Sequence, residues 1–419
     1  MPQASITLLQ HDASSTSRIP AWAAMIVWVV FGLIGGVSHP ADSLAAQAAT
    51  KRSASGKKPA EAVDDPEADT KVAGREAATL QGHRHAVLRL AFHPTLPLLC
   101  STSKDGRVLL WDLTSNSLKQ ELATYKEEVW TAKFSPDGAS LAYANRYWWG
   151  SVVKFMAMPA PYELRALKDF KYGGGAVASL AFSPDGLLFV TGQDDGVLRI
   201  WETYPVYKEA QPLPMGAALP ALAFGLVKAE PKKRTREYLL AVGCADGPVK
   251  TLRAVSAQTK FGAELKVEPT NVAFPKEKGV LSLRFSPNGQ LLATTRIGGQ
   301  ISLLEPDTGK IVRDLRASNA NVDWISFHPT RPWIVTAHFQ DHSARIWNYK
   351  TGEMLTELKG HADGLFCVEF SRDGRHVATA SADFLVKLWD LEGPGVPQPA
   401  QPAKRTKGPP KIVLPLVGD

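Results

Sequence analysis

The middle of the chain alternates between apolar and polar positions with a period of two, in short runs that turn residues separate. Seven runs end in phenylalanine, and successive phenylalanines lie 42, 48, 42, 61, 42 and 43 residues apart. A period of two puts alternate side chains on opposite faces of an extended chain, so each run predicts a half-buried β-strand. The runs are VLRLAF, VWTAKF, VASLAF, LPALAF, VLSLRF, VDWISF and LFCVEF, ending at Phe92, Phe134, Phe182, Phe224, Phe285, Phe327 and Phe370.

Turn residues follow several of these strands, as in Ser135-Pro-Asp-Gly138 and Ser286-Pro-Asn-Gly289. Proline presets the φ angle of a turn and glycine accepts a positive φ, so these tetrapeptides predict tight turns. A second apolar strand comes next, then a turn such as Lys104-Asp105-Gly106, then a third strand that ends on an aromatic residue in most copies. Helical periodicity is absent from this region, and the pattern predicts an all-β fold.

The repeat carries polar landmarks that resemble the WD40 family. Its first copy reads Gly82-His83, then Asp105, then Trp111-Asp112, and the last copy reads Gly360-His361, Asp383 and Trp389-Asp390. The resemblance implies a seven-bladed β-propeller of four-stranded antiparallel blades around a central channel. It also implies that residues 75–80 pair with the last blade, which closes the ring and removes exposed sheet edges.

The resemblance further implies a buried hydrogen-bonded tetrad in the first and last blades. An imidazole, a carboxylate, a hydroxyl and an indole N–H would satisfy one another there. We interpret these residues as structural and not as a catalytic triad, because both sets occupy repeat-locked positions and each includes a tryptophan. The tetrads are His83, Ser101 (or Ser103), Asp105 and Trp111, and His361, Thr379 (or Ser381), Asp383 and Trp389.

The N-terminal region contains an uncharged apolar run, Ile19–Val37. Its length and hydropathy predict that residues 1–45 are a signal peptide or a single transmembrane anchor. Residues 46–78 are polar and predict a disordered linker, residues 79–391 form the propeller, and residues 392–419 form a Pro-rich basic tail. We therefore expect an exported protein, periplasmic or extracellular, or a membrane-anchored one. A retained anchor that leaves the propeller facing the cytoplasm stays an alternative.

Composition narrows the function further. The net charge is +7 and the chain has only three cysteines, so it contains no disulfide framework and no CxxC metal or redox motif. Sequence motifs for nucleotide binding, metalloproteases and serine hydrolases are absent. We expect no enzyme activity, no cofactor, no metal and no nucleic-acid partner, and we expect a monomeric propeller that binds other proteins.

Departures from the repeat indicate where a partner binds. The second repeat has Asn145-Arg-Tyr-Trp-Trp-Gly150 where other copies have a compact turn, and aromatic residues beside arginine are typical of interface hot spots. Packing of the tryptophans against their own blade remains the alternative. The candidate partner-binding residues are Trp130, Arg146, Tyr147, Trp148, Trp149, Asp323, Phe366 and Phe384, with Phe339 beside them.

Two further segments have less specific interpretations. The fourth repeat contains an insertion, residues 225–237, that Pro231 should keep out of a strand and that could contact an acidic partner or anionic lipid; a solvated loop is the alternative. His338, Asp341 and His342 could ligate a metal, but Asp341 occupies the turn position of the repeat. The basic residues of the insertion are Lys228, Lys232, Lys233, Arg234 and Arg236.

Presentation of loops to another protein by a rigid ring is thus the expected function. The alternative is a ligand-binding or enzymatic propeller that uses the central channel. It requires convergent polar residues in the channel, and the sequence pattern does not predict them.

Overall fold

The structure is a computed structural model, and it describes residues 72–146, 151–158, 165–171, 175–203, 208–210, 212–225, 228–230, 235–259, 262–275 and 279–392. All regular elements in these ranges are β-strands, and they form seven antiparallel sheets. The seven-bladed, all-β prediction is confirmed.

Each sheet is one blade, and the strands are numbered in chain order. Blade 1 contains β2 (Val87–Phe92), β3 (Leu98–Ser103), β4 (Arg107–Asp112) and β5 (Ser117–Thr124), and blade 2 contains β6 (Val129–Phe134), β7 (Ser140–Asn145), β8 (Val152–Ala157) and β9 (Arg165–Lys171). Blade 3 contains β10 (Val177–Phe182), β11 (Leu188–Gln193) and β12 (Val197–Glu202), with a fourth strand split into β13 (Lys208–Glu209) and β14 (Leu213–Pro214). Blade 4 contains β15 (Ala221–Phe224), β16 (Lys228–Glu230), β17 (Thr235–Gly243), β18 (Lys250–Thr259) and β19 (Gly262–Pro269).

The remaining blades return to four strands each. Blade 5 contains β20 (Val280–Phe285), β21 (Leu292–Arg296), β22 (Gln300–Leu304) and β23 (Ile311–Arg316), and blade 6 contains β24 (Val322–Phe327), β25 (Trp333–His338), β26 (Ser343–Asn348) and β27 (Met354–Lys359). Blade 7 contains β28 (Leu365–Phe370), β29 (His376–Ser381), β30 (Val386–Glu392) and, as its outermost strand, β1 (Ala73–Leu80).

Strand β1 closes the ring. It pairs antiparallel with β30, with Arg75 opposite Asp390 and Leu80 opposite Val386. The ammonium of Lys387 lies 2.7 Å from the Glu76 carboxylate across this pair. The predicted closure is confirmed. Because β1 begins at Ala73, residues 73–78 lie in a strand of the propeller and not in the predicted disordered linker.

The first strand of each blade packs against the first strand of the next, so these seven strands surround the channel. In six blades the pairing between the first and second strands shifts register at the second residue of the first strand. A β-bulge leaves that residue unpaired and re-aims its side chain. Trp130, Asp323 and Phe366 all occupy this position, which places them at one end of the channel.

The insertion of blade 4 departs from expectation. Residues Lys228–Glu230 form β16 and pair with the start of β17, so the insertion extends the blade as a hairpin. The prediction that Pro231 keeps the whole insertion out of strands was therefore wrong for the residues that flank it.

The predicted signal or anchor, residues 1–45, lies outside the described residues, as does the basic C-terminal tail apart from Glu392. Within the described ranges, no helix has the length and hydropathy needed to cross a membrane.

Candidate functional site at the channel mouth

The tetrad of blade 1 forms a closed hydrogen-bonded chain. His83 donates from Nδ1 to Asp105 (3.1 Å) and accepts at Nε2 from the Ser101 hydroxyl (2.7 Å), which in turn accepts from the Trp111 indole (2.8 Å). Burial raises the pKa of Asp105, but hydrogen bonds from His83 and from backbone amides outweigh it and lower the pKa to about 2. The His83 side chain is only 1% exposed. A chain of this kind has no reactive atom open to a substrate.

Blade 7 repeats the arrangement. His361 lies 2.8 Å from Asp383 and 2.7 Å from the Thr379 hydroxyl, to which the Trp389 indole donates at 2.9 Å. Ser103 and Ser381, the other hydroxyls considered for the tetrads, each donate to a backbone carbonyl instead. The tetrads therefore use the hydroxyls in the middle of the second strand.

The histidine-rich turn of blade 6 has partners of its own. His338 is buried at the end of β25 and lies 2.9 Å from the Thr336 hydroxyl, which also accepts from Trp347. Asp341 pairs with Arg345 at 2.8 Å. Across the described ranges, no group of three histidine, cysteine or carboxylate side chains is placed to hold a metal ion.

Several bulged residues and residues of the neighbouring loops contact one another near the channel mouth. The Phe366 ring lies 4.9 Å from Phe339 and 5.9 Å from the Lys104 ammonium, and the Phe384 ring lies 5.5 Å from His85. On the other side, the Trp130 ring lies 4.6 Å from the guanidinium of Arg146. We call this surface the rim patch, and its members are His85, Lys104, Trp130, Arg146, Phe339, Phe366 and Phe384.

Arg89 joins the two halves of the rim patch, although the sequence analysis did not include it. Its guanidinium lies 6.0 Å from the Trp130 ring and donates to the backbone carbonyl of Phe366 at 3.4 Å. Arg146 is anchored by Asp194 at 3.1 Å, with both side chains largely buried. The rim patch thus lies on supports that fix its side chains.

Phe384 has an unusual backbone. Its φ is +72°, and 42% of the residue is exposed. The equivalent turn residue in blades 1 and 3 is Gly106 or Gly196, with φ near +77° and +80°. All three amides donate to the carbonyl three residues earlier. A bulky residue in this conformation is strained, so the exposed ring of Phe384 is held at a glycine position.

Asp323 lies behind the rim patch and not on it. Its carboxylate accepts a hydrogen bond from the backbone of Phe339, while Oδ2 is buried and has no partner in the described part of the chain. Burial raises the pKa of Asp323 to about 6, and the Phe339 hydrogen bond and the charge of Arg89 oppose this shift. This residue is therefore a support of the surface.

Below the rim patch, first strands from distant blades contribute charges to one cluster. Glu369 Oε1 accepts from Lys133 (3.0 Å), Arg284 (3.2 Å) and the Trp324 indole (3.2 Å). Burial raises the pKa of Glu369, but the attraction of Lys133 and Arg284 outweighs it and lowers the pKa to about 2. We call these four residues with Arg89 the channel cluster.

The guanidinium groups of Arg89 and Arg284 both stack on the Trp324 ring, each with its central carbon 4.3 Å from the ring centroid. Stacking on an aromatic face accommodates a cation where water is scarce. The sequence analysis missed this cluster. Its only sequence signal is a charged residue or a tryptophan at the third or fifth position of a blade's first strand, in a pattern of otherwise apolar and small polar residues.

Some predicted site residues cannot be placed. Tyr147, Trp148 and Trp149 lie outside the described residues, as do Lys232, Lys233 and Arg234 of the insertion. Lys228 lies on β16. Arg236 lies on β17, with its guanidinium 3.5 Å from the Asp185 carboxylate of blade 3. At least this insertion residue is used within the propeller.

Comparison with known families decides the class of protein. The family model for the WD domain, G-beta repeat (WD40), matches residues 74–112, 167–202, 270–303, 309–348 and 352–390. This chain is a WD40-repeat protein. The five matches leave out the second and fourth repeats, which contain the aromatic turn and the hairpin insertion. Those two WD40 blades are recognised from the sheet topology.

The WD40 propeller is similar to several curated proteins. It is 28% identical to the serine-threonine kinase receptor-associated protein of Gallus gallus and 26% identical to that of Homo sapiens, over 74% of this chain and 81% of each relative. It is 23% identical to striatin-3 of Rattus norvegicus, over 75% of this chain and 35% of that protein. These similarities extend over about three quarters of this chain.

Proposed function

We propose that this WD40 protein is a non-enzymatic interaction scaffold that binds a partner protein through the rim patch. The observation that carries the proposal is Phe384, a strained and exposed aromatic residue at a position where blades 1 and 3 have glycine. Strain of this kind persists when the residue has a use that outweighs its cost in stability. An exposed aromatic beside fixed cations is the composition of a binding hot spot.

Three further observations support the proposal. The rim patch lies on elements that are buried and hydrogen-bonded, so little conformational entropy is lost when a partner binds. The tetrads, the only Ser/His/Asp sets that the sequence analysis singled out, are closed structural networks. The relative from Gallus gallus is named as a receptor-associated protein, which fits association with another protein.

The substitution Phe384→Gly tests the proposal, because it should weaken partner binding without lowering stability. Glycine removes a backbone strain of about 1–2 kcal/mol, but it loses about 0.5–1 kcal/mol more backbone entropy on folding. The variant should therefore be as stable as the wild type or slightly more stable. Thermal unfolding measures this. Quantitative affinity capture from the native extract should recover the main partner at least fivefold less well.

Met354→Ala is the matched control. Met354 is 47% exposed on β27, the outermost strand of blade 6, away from the channel. Partner recovery with this variant should equal that of the wild type. Equal recovery by Phe384→Gly and the wild type, with both folded, would refute the rim patch as the binding surface.

We also propose that the protein is exported, or tethered to a membrane by its N-terminal segment, on the evidence of the apolar run Ile19–Val37. Membrane fractionation with N-terminal sequencing of the mature chain tests this. Cleavage near Ala45 would support export, and an uncleaved chain in the membrane fraction would support a tether. A soluble chain that still begins at residue 1 or 2 would contradict both.

A further inference from the structure

The channel contains more positive than negative charge. Arg89, Lys133 and Arg284 contribute three cations, and Glu369 is the carboxylate that two of them contact. Within the described part of the chain, Arg89 forms no ion pair with a carboxylate, and its hydrogen bonds go to the backbone carbonyls of Leu88 and Phe366. Even with Asp323 ionised nearby, three cations face two carboxylates. Arg89 is half-buried. A cation partly withdrawn from water without a counter-charge is unfavourable unless something else compensates it.

A cavity lies directly against this surplus charge. It is partly open to solvent, and its polar lining includes Arg89, Thr131, Lys133, Ser179, Ser282, Arg284 and Trp324. The lining comes from blades 1 to 6, so the cavity lies on the axis of the ring. Any small molecule bound there would be enclosed by donors from several sides.

Two serine hydroxyls strengthen the case. Ser282 Oγ is buried and has no hydrogen-bond partner in the described ranges. A buried, unsatisfied hydroxyl is unusual in proteins and often marks the place of an absent ligand or water. The Ser179 hydroxyl donates its proton to the carbonyl of Leu219 at 2.7 Å. Its oxygen can therefore still accept a hydrogen bond from a group in the cavity, but it cannot donate one. Ser282 is therefore a hydroxyl that can donate into the cavity.

From this juxtaposition we propose that the channel cavity binds a small oxyanion group, with Arg89 as the principal cation and Ser282 as a hydroxyl donor. Guanidinium groups match carboxylate and phosphate oxygens, and a stacked guanidinium keeps its N–H edges free for them. Lys133 and Arg284 contribute attraction while they remain bonded to Glu369. The oxyanion is a free phosphate or carboxylate, or the acidic side chain of a bound protein. This proposal does not depend on the rim patch being the partner surface.

Isothermal titration of the purified full chain with inorganic phosphate, and separately with acetate, tests the proposal at constant ionic strength set with chloride. We expect saturable 1:1 binding of at least one of them. Binding of phosphate alone would identify a tetrahedral dianion as the preferred ligand, and binding of acetate as well would extend the site to carboxylates. Absence of saturable binding of either would overturn the proposal.

Two variants and a control locate the site. Arg89→Gln should weaken binding at least tenfold, whereas Arg316→Gln, on the exposed outer strand of blade 5, should leave it unchanged. Ser282→Ala should weaken binding severalfold without lowering the melting temperature of the free protein, because the lost hydroxyl has no partner there. Equal affinity in wild type and Ser282→Ala would overturn the assignment of Ser282, and equal affinity in all variants would overturn the site.

Discussion

Two buried charged networks in this propeller have similar carboxylates and different uses. In the blade 7 tetrad, Asp383 has its pKa lowered to about 2, and in the channel cluster Glu369 has the same value. The tetrad pairs one carboxylate with one histidine of the same blade, and its described donors meet acceptors. The channel cluster gathers charges from several blades and leaves a surplus of cations. A network within one blade whose groups are all hydrogen-bonded stabilises that blade. A network between blades that has more cations than carboxylates can still bind an anion.

The largest effect should follow from loss of the channel carboxylate. Glu369→Gln leaves Lys133 and Arg284 buried without their counter-charge, and breaking such a pair costs about 3–5 kcal/mol. Urea unfolding measures the change. Glu392→Gln is the control, because that carboxylate is 60% exposed and its substitution should cost less than about 0.5 kcal/mol. Similar losses in the two variants would contradict a special role for the cluster.

The tetrad should come next, and blade 7 offers a matched pair of variants. Asp383→Asn removes a buried charge-assisted hydrogen bond to His361 and should cost about 2 kcal/mol. Asp390→Asn removes a similar contact, at 2.7 Å from His376, but that pair is about one-third exposed. Its loss should cost less than about 1 kcal/mol, since solvent screens it. If both variants lose the same stability in urea unfolding, burial is not what makes the tetrad matter.

The sequence predicts contacts within one repeat better than contacts between residues that are far apart along the chain. His361 and Thr379 are 18 residues apart within one repeat, so the repeat pattern itself points to their contact. Lys133 and Glu369 are 236 residues apart, and they meet only because the ring closes. Charge at the fifth position of a first strand was visible in the sequence, but its partner was not. The same holds for the strain at Phe384, since only its backbone angle separates it from an ordinary turn residue.

A third prediction concerns a histidine that bridges two blades. His328 donates from Nε2 to the carbonyl of Gly374 (3.1 Å), and its Nδ1 accepts from backbone amides, so it must be neutral. Burial lowers its pKa from 6.5 to about 4. Between pH 6.5 and 4 this histidine therefore binds a proton more readily in the unfolded chain than in the folded one. The free energy of unfolding should fall by on the order of 2 kcal/mol as the pH drops over this range.

His328→Gln tests this pH dependence. The variant should be less stable at pH 7, because Gln does not reproduce the hydrogen bonds that link blades 6 and 7. Between pH 6.5 and 4 its free energy of unfolding should fall less steeply than that of the wild type, because unfolding takes up as much as one proton fewer. Urea unfolding at several pH values measures both. An unchanged slope would mean that other groups, such as His338, carry the acid sensitivity.

The smallest expected effect bears most directly on the comparison between the networks. Burial raises the pKa of Asp323 from 3.8 to about 6, so its contribution favours folding at low pH and is lost as pH rises through about 6. Asp323→Asn should therefore stabilise the protein at pH 8 by on the order of 1 kcal/mol, with a smaller gain at pH 4. If the variant is instead less stable at pH 8, attraction between Asp323 and Arg89 outweighs the cost of burial. Arg89 would then already have its counter-charge, and the channel would have less reason to bind an oxyanion.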